Sequence, residues 1–288
     1  MIFIIESGST KSDWVLIDDK NNQSFYKTIG FNPYFHSAQN IASEIRQNEK
    51  LISLSDKIEG IYFYGAGCSS KELNKIVEKG LSSIFSTAKI TVEHDLLACA
   101  YATYDGAPGI SCILGTGSNS CYFDGKSLVE EVPALGYVLG DEGSGSYFGK
   151  FLLSNYLYKK LPKEINDEFE KRFKVTNGTI VDKVYKQANP NVYIASFMPF
   201  IIEHKNHPFF NPFIIKGLKH FLEVHVCCYD NYEKTSIHFV GSLSALLENE
   251  LNAAAQELGI SIKSIVQKPV GPLVDYHINY ILKDQLVD

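Results

Sequence analysis

Three parts of the sequence combine residue types that could do chemistry. The first is Leu139-Gly-Asp-Glu-Gly-Ser-Gly-Ser-Tyr-Phe-Gly149, which sets two carboxylates among four glycines. Asp141 or Ser144 could cap a helix, which accounts for one polar group. The glycines are not explained that way, because each one inside a helix costs about 1 kcal/mol against alanine. Close approach of the backbone to a ligand, or to another helix, explains them better. The second part is Asp95 in Val92-Glu-His-Asp-Leu-Leu-Ala98, directly after an apolar run. A carboxylate at the end of a strand and the start of a helix can act as general base toward a hydroxyl nucleophile, or simply cap that helix. The third is a pair of turns, Ser7-Gly-Ser-Thr-Lys-Ser12 and Gly115-Thr-Gly-Ser118. Such turns expose several backbone N–H groups and can wrap an anionic oxygen, although ordinary hairpin turns share their composition. Lys11 could also reach a phosphate.

Other combinations carry less. No G-x-x-x-x-G-K-[ST] loop is present, and after Gly115-Thr-Gly117 the third glycine of a dinucleotide fingerprint is replaced by Ser120. His204 and His207 could share a helical face, but no third metal ligand lies nearby and Pro208 follows. The six cysteines, at 68, 99, 112, 121, 227 and 228, show no C-x-x-C spacing, which fits reduced thiols in a cytoplasmic protein.

These residues need elements to position them. Ile2 to Glu6, Trp14 to Ile17 and Gln23 to Ile29 read as strands. A helical stretch over 36–54 and a strand over 58–64 follow. Next come a helix over 70–85 capped by Ser69 or Ser70, a strand over 90–93, and a helix from Asp95 to Thr103. The order is βββαβαβα. The second part repeats it, with strands at 111–114 and 119–123, a third strand within 129–138, and a helix from Asp141 to about Tyr158. Several helices across 163–232 interrupt the repeat, broken at Asn177-Gly178, Asn189-Pro190 and His207-Pro208. A strand at 237–240, a helix over 242–258, a strand over 261–267 and a helix over 272–282 complete it. Each half therefore opens on strand, Gly/Ser/Thr turn, strand.

The chain has 288 residues with a formal net charge of -6, 45% hydrophobic and 21% charged. That is long enough for two cores and acidic enough to argue against nucleic acid, so a small-molecule partner is expected. Neither a signal peptide nor a membrane-length apolar run is recognisable.

Taken together, Glu6-Ser-Gly-Ser-Thr-Lys-Ser-Asp13, Leu114-Gly-Thr-Gly-Ser-Asn119, Gly140-Asp-Glu-Gly-Ser144 and Phe239-Val-Gly-Ser242 resemble the N-acetylglucosamine kinase and BadF/BadG/BcrA/BcrD ATPase family of the actin-like sugar kinases. The resemblance runs in order over nearly the whole chain. It implies an α/β fold of two ribonuclease H-like domains with duplicated topology around a nucleotide cleft. Residues 1–108 would form one domain and 109–288 the other, with a helical insertion at about 150–232 and a last helix able to pack back on the first domain. It implies ATP and Mg²⁺ as cofactors and phosphorylation of the primary hydroxyl of an amino sugar. Gly8, Ser9, Thr10 and Lys11 would form the first phosphate loop, and Gly115, Thr116 and Gly117 the second. Asp95 would be the catalytic base. Asn32, Gly65, Gly67, Asn119 and Asp141 would face the sugar, and Gly241 and Ser242 the adenosine, with Mg²⁺ near Glu6 through water. A homodimer is compatible with this family. The alternatives within the resemblance are an ATPase that activates a radical dehydratase and a sugar-binding regulator without kinase activity. This sequence departs from the family in reading Ser7-Gly-Ser9 where three glycines are usual, Pro269-Val-Gly-Pro272 near the C-terminus, and Pro33-Tyr34 after Asn32.

Overall fold

A computed structural model describes residues 1–283. The described residues divide into two compact units, 1–104 together with 268–283, and 105–267.

The first unit is built on a five-stranded sheet. Its strands are β1 (Ile2–Ser7), β2 (Lys11–Ile17), β3 (Gln23–Ile29), β4 (Gly60–Gly65) and β5 (Lys89–His94), in the order β3-β2-β1-β4-β5. β1, β2 and β3 form an antiparallel meander, and β4 and β5 run parallel to β1. β1 is central, so both of its faces are covered and its sequence is a continuous apolar run. Phe3 and Ile5 join Trp14, Phe31, Phe63 and Phe85 beneath the helices Ala38–Arg46 and Lys71–Ser82. Ile4, between them, points to the opposite face with Val15, Ala98 and Ala102 of the helix Asp95–Thr103, and Leu273 and Val274 of the helix Val270–Tyr276.

The second unit repeats that plan. Its strands are β6 (Gly109–Leu114), β7 (Ser118–Phe123), β8 (Leu128–Val129), β9 (Ser236–Val240) and β10 (Ile262–Val266). Their order, β10-β9-β6-β7-β8, is the first sheet's order with the same parallel and antiparallel pairs. The expected duplication is therefore present strand for strand. Between β8 and β9 lie the repeat's own helix Gly145–Leu157 and the helices that interrupt the repeat, from Lys163–Phe173 to Asn211–His225, packed through Phe148, Phe169, Phe197, Phe200 and Phe221.

Two local expectations fail. The third strand of this sheet is only Leu128–Val129, and the apolar stretch beyond it turns into a short helix, Gly136–Leu139, with Leu135, Val138 and Leu139 exposed. The following helix starts at Gly145 and not at Asp141. Asp141 and Gly143 both adopt positive φ, 59° and 66°, so the chain cannot enter a right-handed helix until Ser144 caps it. No helix among the described residues is long and apolar enough to cross a membrane.

Candidate active site

In the first unit the chemistry gathers at the carboxyl ends of β1, β4 and β5. The pairing register sets Asp13 opposite Glu6, Glu6 beside Tyr64, and Tyr64 beside Glu93. Neighbouring residues in register share a sheet face, so three carboxylates lie in one row. Asp95 begins the helix immediately after β5 and lies beside this row. Like charges so placed resist ionisation. Burial, followed by the charges of Asp95 and Asp13, pushes the Glu6 carboxyl up to about 7, and Lys11 only partly offsets them. Lys11 itself is held 3.3 Å from Asp13.

Asp95 is not the residue that caps its helix. His94 does so, with Nδ1 accepting the Leu96 amide at 3.3 Å. The same nitrogen lies 3.3 Å from an Asp95 carboxylate oxygen. While Nδ1 accepts the amide it has no proton to donate, so capping leaves the Asp95 carboxylate available for another partner.

The turn Gly8–Thr10 is supported from below. Ser7 and Ser12 face each other as the last pair of the β1–β2 ladder, both buried, with their hydroxyl oxygens 2.6 Å apart. The Phe31 amide donates to Ser7 Oγ at 2.9 Å, and the Ala66 amide donates to the Ser7 carbonyl at 2.9 Å. Gly30 closes this packing, since a Cβ there would lie 2.0 Å from the Gly8 carbonyl oxygen. Composition and spacing give Gly30, Asp13 and Glu93 no role of their own. Asp13 and Glu93 become visible only once the strand register is known, and a lone glycine after a strand resembles an ordinary spacer.

Asn32 and Gly67 meet in the same unit. Gly67 has φ of 81°, and a Cβ on it would lie 2.4 Å from Asn32 Oδ1. Gly65 is equally tight, with its missing Cβ directed at the Phe63 ring and Cys68 Sγ. Cys68 is buried close to Asp95 and Glu93, and desolvation first, then those charges, pushes its thiol up to about 12.

In the second unit the turn Gly115–Gly117 joins β6 to β7 and has the same length as Gly8–Thr10. It is gripped by the start of the helix Gly145–Leu157. The Gly145 amide donates to the Gly115 carbonyl at 2.8 Å and the Ser146 amide to the Thr116 carbonyl at 2.9 Å. Asp141 closes the other side. Its Oδ1 accepts the Ser118 amide at 3.3 Å, its Oδ2 accepts the Ser146 hydroxyl at 3.3 Å, and a Cβ on Gly117 would touch the carboxylate at 3.0 Å. Burial raises the Asp141 pKa, and these hydrogen bonds oppose the rise. Asn119 is buried, with Oδ1 accepting the Ser120 amide and Nδ2 donating to Glu130. Gly241 follows β9 at φ 128°, and a Cβ there would strike the Leu114 carbonyl oxygen at 2.1 Å, so Gly241-Ser242 lies against the end of β6. Within this unit the structure thus brings together Gly115, Thr116, Gly117, Asp141 and Gly241.

Nothing in the sequence pattern gives Glu142 a role of its own. Its carboxylate lies 3.3 Å from Nε2 of buried His225, whose imidazole is kept neutral by desolvation ahead of the opposing pull of Glu142. Lys150 donates to the Tyr137 carbonyl, near both Asp141 and Glu142. His204 and His207 pair separately with Glu168 and Glu164, and no group of three or more His, Cys, Asp or Glu able to hold a metal occurs among the described residues. The described cysteines are free thiols.

No family model matches the sequence, and no curated protein matches it. Solved structures do. A Porphyromonas gingivalis structure described as a candidate N-acetylglucosamine kinase is 33% identical, covering 97% of this chain and 99% of its own, with a TM-score of 0.89. A second candidate N-acetylglucosamine kinase, from Chromobacterium violaceum, has 13% identity over 96% of this chain and 98% of its own, with a TM-score of 0.67. A ROK-family glucokinase from Streptomyces griseus, solved with glucose and AMPPNP, has 14% identity over 95% and 97%, with a TM-score of 0.54. At those identities the last two structures share the fold.

Proposed function

The chain belongs to the N-acetylglucosamine kinase family of actin-like sugar kinases, and from that premise we propose that it phosphorylates the primary hydroxyl of N-acetylglucosamine, or of a closely related hexosamine, with ATP. The observation that carries this reading is the position of Asp95. It is a carboxylate free of capping duty, at the carboxyl end of parallel strands, where ligands of open α/β sheets bind.

Phosphoryl transfer asks little covalent chemistry of a protein and much positioning. The sugar hydroxyl oxygen attacks the γ-phosphorus as the bond to the β–γ bridging oxygen breaks, and that electron pair leaves with ADP. Asp95 accepts the hydroxyl proton. The amides of Gly8, Ser9 and Thr10 in one unit, and of Gly115, Thr116 and Gly117 in the other, hold phosphate oxygens, with Lys11 adding a positive charge. In an acidic chain these amides offset the overall field. Gly241 and Ser242 serve the adenosine. Asn32, Gly65, Gly67, Asn119 and Asp141 hold the sugar's other hydroxyls and its N-acetyl group.

Asp13, Glu6 and Glu93 lie in register with Asp95 nearby, but Lys11 and Lys27 pair with Asp13 and no three of these carboxylates converge to hold a metal, so a magnesium ion would come with the nucleotide and not sit in a protein cage. Mg²⁺ carried by the nucleotide would neutralise charge on the phosphates, and Glu6 would reach it through water. Burial first, then the charges of Asp95 and Asp13, raises the Glu6 carboxyl to about 7. The dehydratase-activator alternative asks for cysteine thiolates as cluster ligands. Cys68, which follows the Gly65-Ala-Gly67 loop, is buried, and no second cysteine stands in matching context in the sequence. Free thiols and the use of ATP support a cytoplasmic setting.

The test is Asp95→Asn. The variant folds as the parent does, by thermal melting and circular dichroism, and its phosphorylation of N-acetylglucosamine falls by at least about a hundredfold, the scale of general-base catalysis. Turnover equal to the parent's removes Asp95 from the role of base.

A further inference from the structure

We infer that the ring of Tyr34 is a stacking platform for the apolar C–H face of the sugar, and so a residue that sets sugar affinity. This rests on the kinase reading above and concerns its sugar side. Tyr34 is one of the most exposed large aromatic side chains, at 64%. A single exposed aromatic needs no explanation when it is free to move. Tyr34 is not free. Its own amide donates to Asn32 Oδ1 at 3.0 Å, and the amides of Phe35 and His36 both donate to the Asn32 carbonyl, at 3.0 and 2.9 Å. Phe31, just before, is fully buried and tied through its amide to Ser7. One edge of the Tyr34 ring rests on Gly67, with Cδ2 3.1 Å from where a Cβ would be, and the hydroxyl reaches within 3.5 Å of Ser69 Oγ.

The same contacts orient Asn32. With Oδ1 committed to the Tyr34 amide and packed on Gly67, the Nδ2 group is directed the other way, as a donor toward a sugar hydroxyl. A rigid aromatic face and an oriented amide donor therefore stand side by side in one unit. That pairing is what a pyranose requires. Its hydroxyls bond to amides, while its ring hydrogens carry partial positive charge and are drawn to the negative face of an aromatic ring. A ring fixed before binding loses little entropy on contact, so its interaction appears as affinity. Gly67 is the device that permits this, since any side chain there would displace both Asn32 and Tyr34.

The experiment is calorimetric titration of N-acetylglucosamine into the wild type, Tyr34→Ala and Tyr34→Phe without nucleotide, together with steady-state kinetics. The Asx turn uses the backbone amide of residue 34, and the side chain is mostly exposed, so neither variant disturbs folding. Tyr34→Ala weakens binding about tenfold, the loss falling in KM and not in kcat, while Tyr34→Phe stays within about twofold, because the ring does the work. Wild-type binding with unchanged binding by Tyr34→Ala overturns this inference and leaves the kinase reading standing. Equal losses in both variants overturn it too, by assigning the effect to the hydroxyl and its contact with Ser69. No sugar binding by the wild type at all removes the kinase reading first, and this inference with it.

Discussion

Replacing Glu6 with Gln should make the protein more stable at alkaline pH while damaging its function. Burial, Asp95 and Asp13 raise the Glu6 pKa from 4.5 to about 7. The folded state therefore holds this proton more tightly than the unfolded chain does. Below about pH 4.5 both states carry it, and Glu6 costs nothing. Between pH 4.5 and 7 the unfolded chain releases the proton first, and stability falls. Above pH 7 the full cost is present. A gap of about 2.5 units corresponds to about 3 kcal/mol at about 1.4 kcal/mol per unit. Glu6→Gln is nearly isosteric and removes the charge that causes the cost. The assay is urea denaturation of both proteins from pH 4.5 to 8.5, without magnesium. The variant should match the parent at the acidic end and exceed it by up to about 3 kcal/mol above pH 7. A difference between the two that stays flat with pH refutes the reasoning, as does a variant less stable at pH 8. Stability gained with activity lost would mark Glu6 as a carboxylate kept for function.

Two further perturbations test the turns. Gly30→Ala puts a methyl where the Gly8 carbonyl oxygen now sits, 2.0 Å from the new Cβ, so the turn Gly8–Thr10 must shift. KM for ATP, read in a coupled ADP assay, should rise by about tenfold or more, since displacements near 1 Å carry losses up to about a hundredfold. Gly241→Ala combines φ of 128° with a clash at 2.1 Å against the Leu114 carbonyl oxygen. Strain of this kind costs about 1–3 kcal/mol, so the melting temperature should fall by several degrees and ATP binding should weaken with it.

Much of the fold could be read from the residues, and the reason is periodicity. Gln23–Ile29 and Asp95–Thr103 appear with the bounds their sequence suggests, and Ser70 caps its helix. The repeated strand-turn-strand opening could be read because glycine and serine punctuate it at matching places. Where the reading failed, local pattern and tertiary setting disagree. The stretch 129–138 carries enough apolar residues for a strand, yet several of them lie on the surface, and only two residues pair with β7. At Asp141 the carboxylate is turned toward Gly117 and Ser118 by a left-handed backbone, which no helix-start signal encodes. The site was legible where single residues carry their own chemistry, as with Asp95. It was not legible where the effect belongs to a pairing. The opposition of Glu6 and Asp13 exists only through the β1–β2 register, and Gly30 matters only because residues 8–10 lie on it.

Whether this chain is a sugar kinase is decided by incubating the wild-type protein with ATP, Mg²⁺ and a panel of hexoses and hexosamines, following ADP release and identifying the product by mass. ADP release should depend on sugar, be strongest with N-acetylglucosamine or a close relative, and yield one equivalent of sugar phosphorylated at its primary hydroxyl. ATP hydrolysis that is indifferent to every sugar in the panel, with no phosphorylated sugar formed, would contradict the kinase reading.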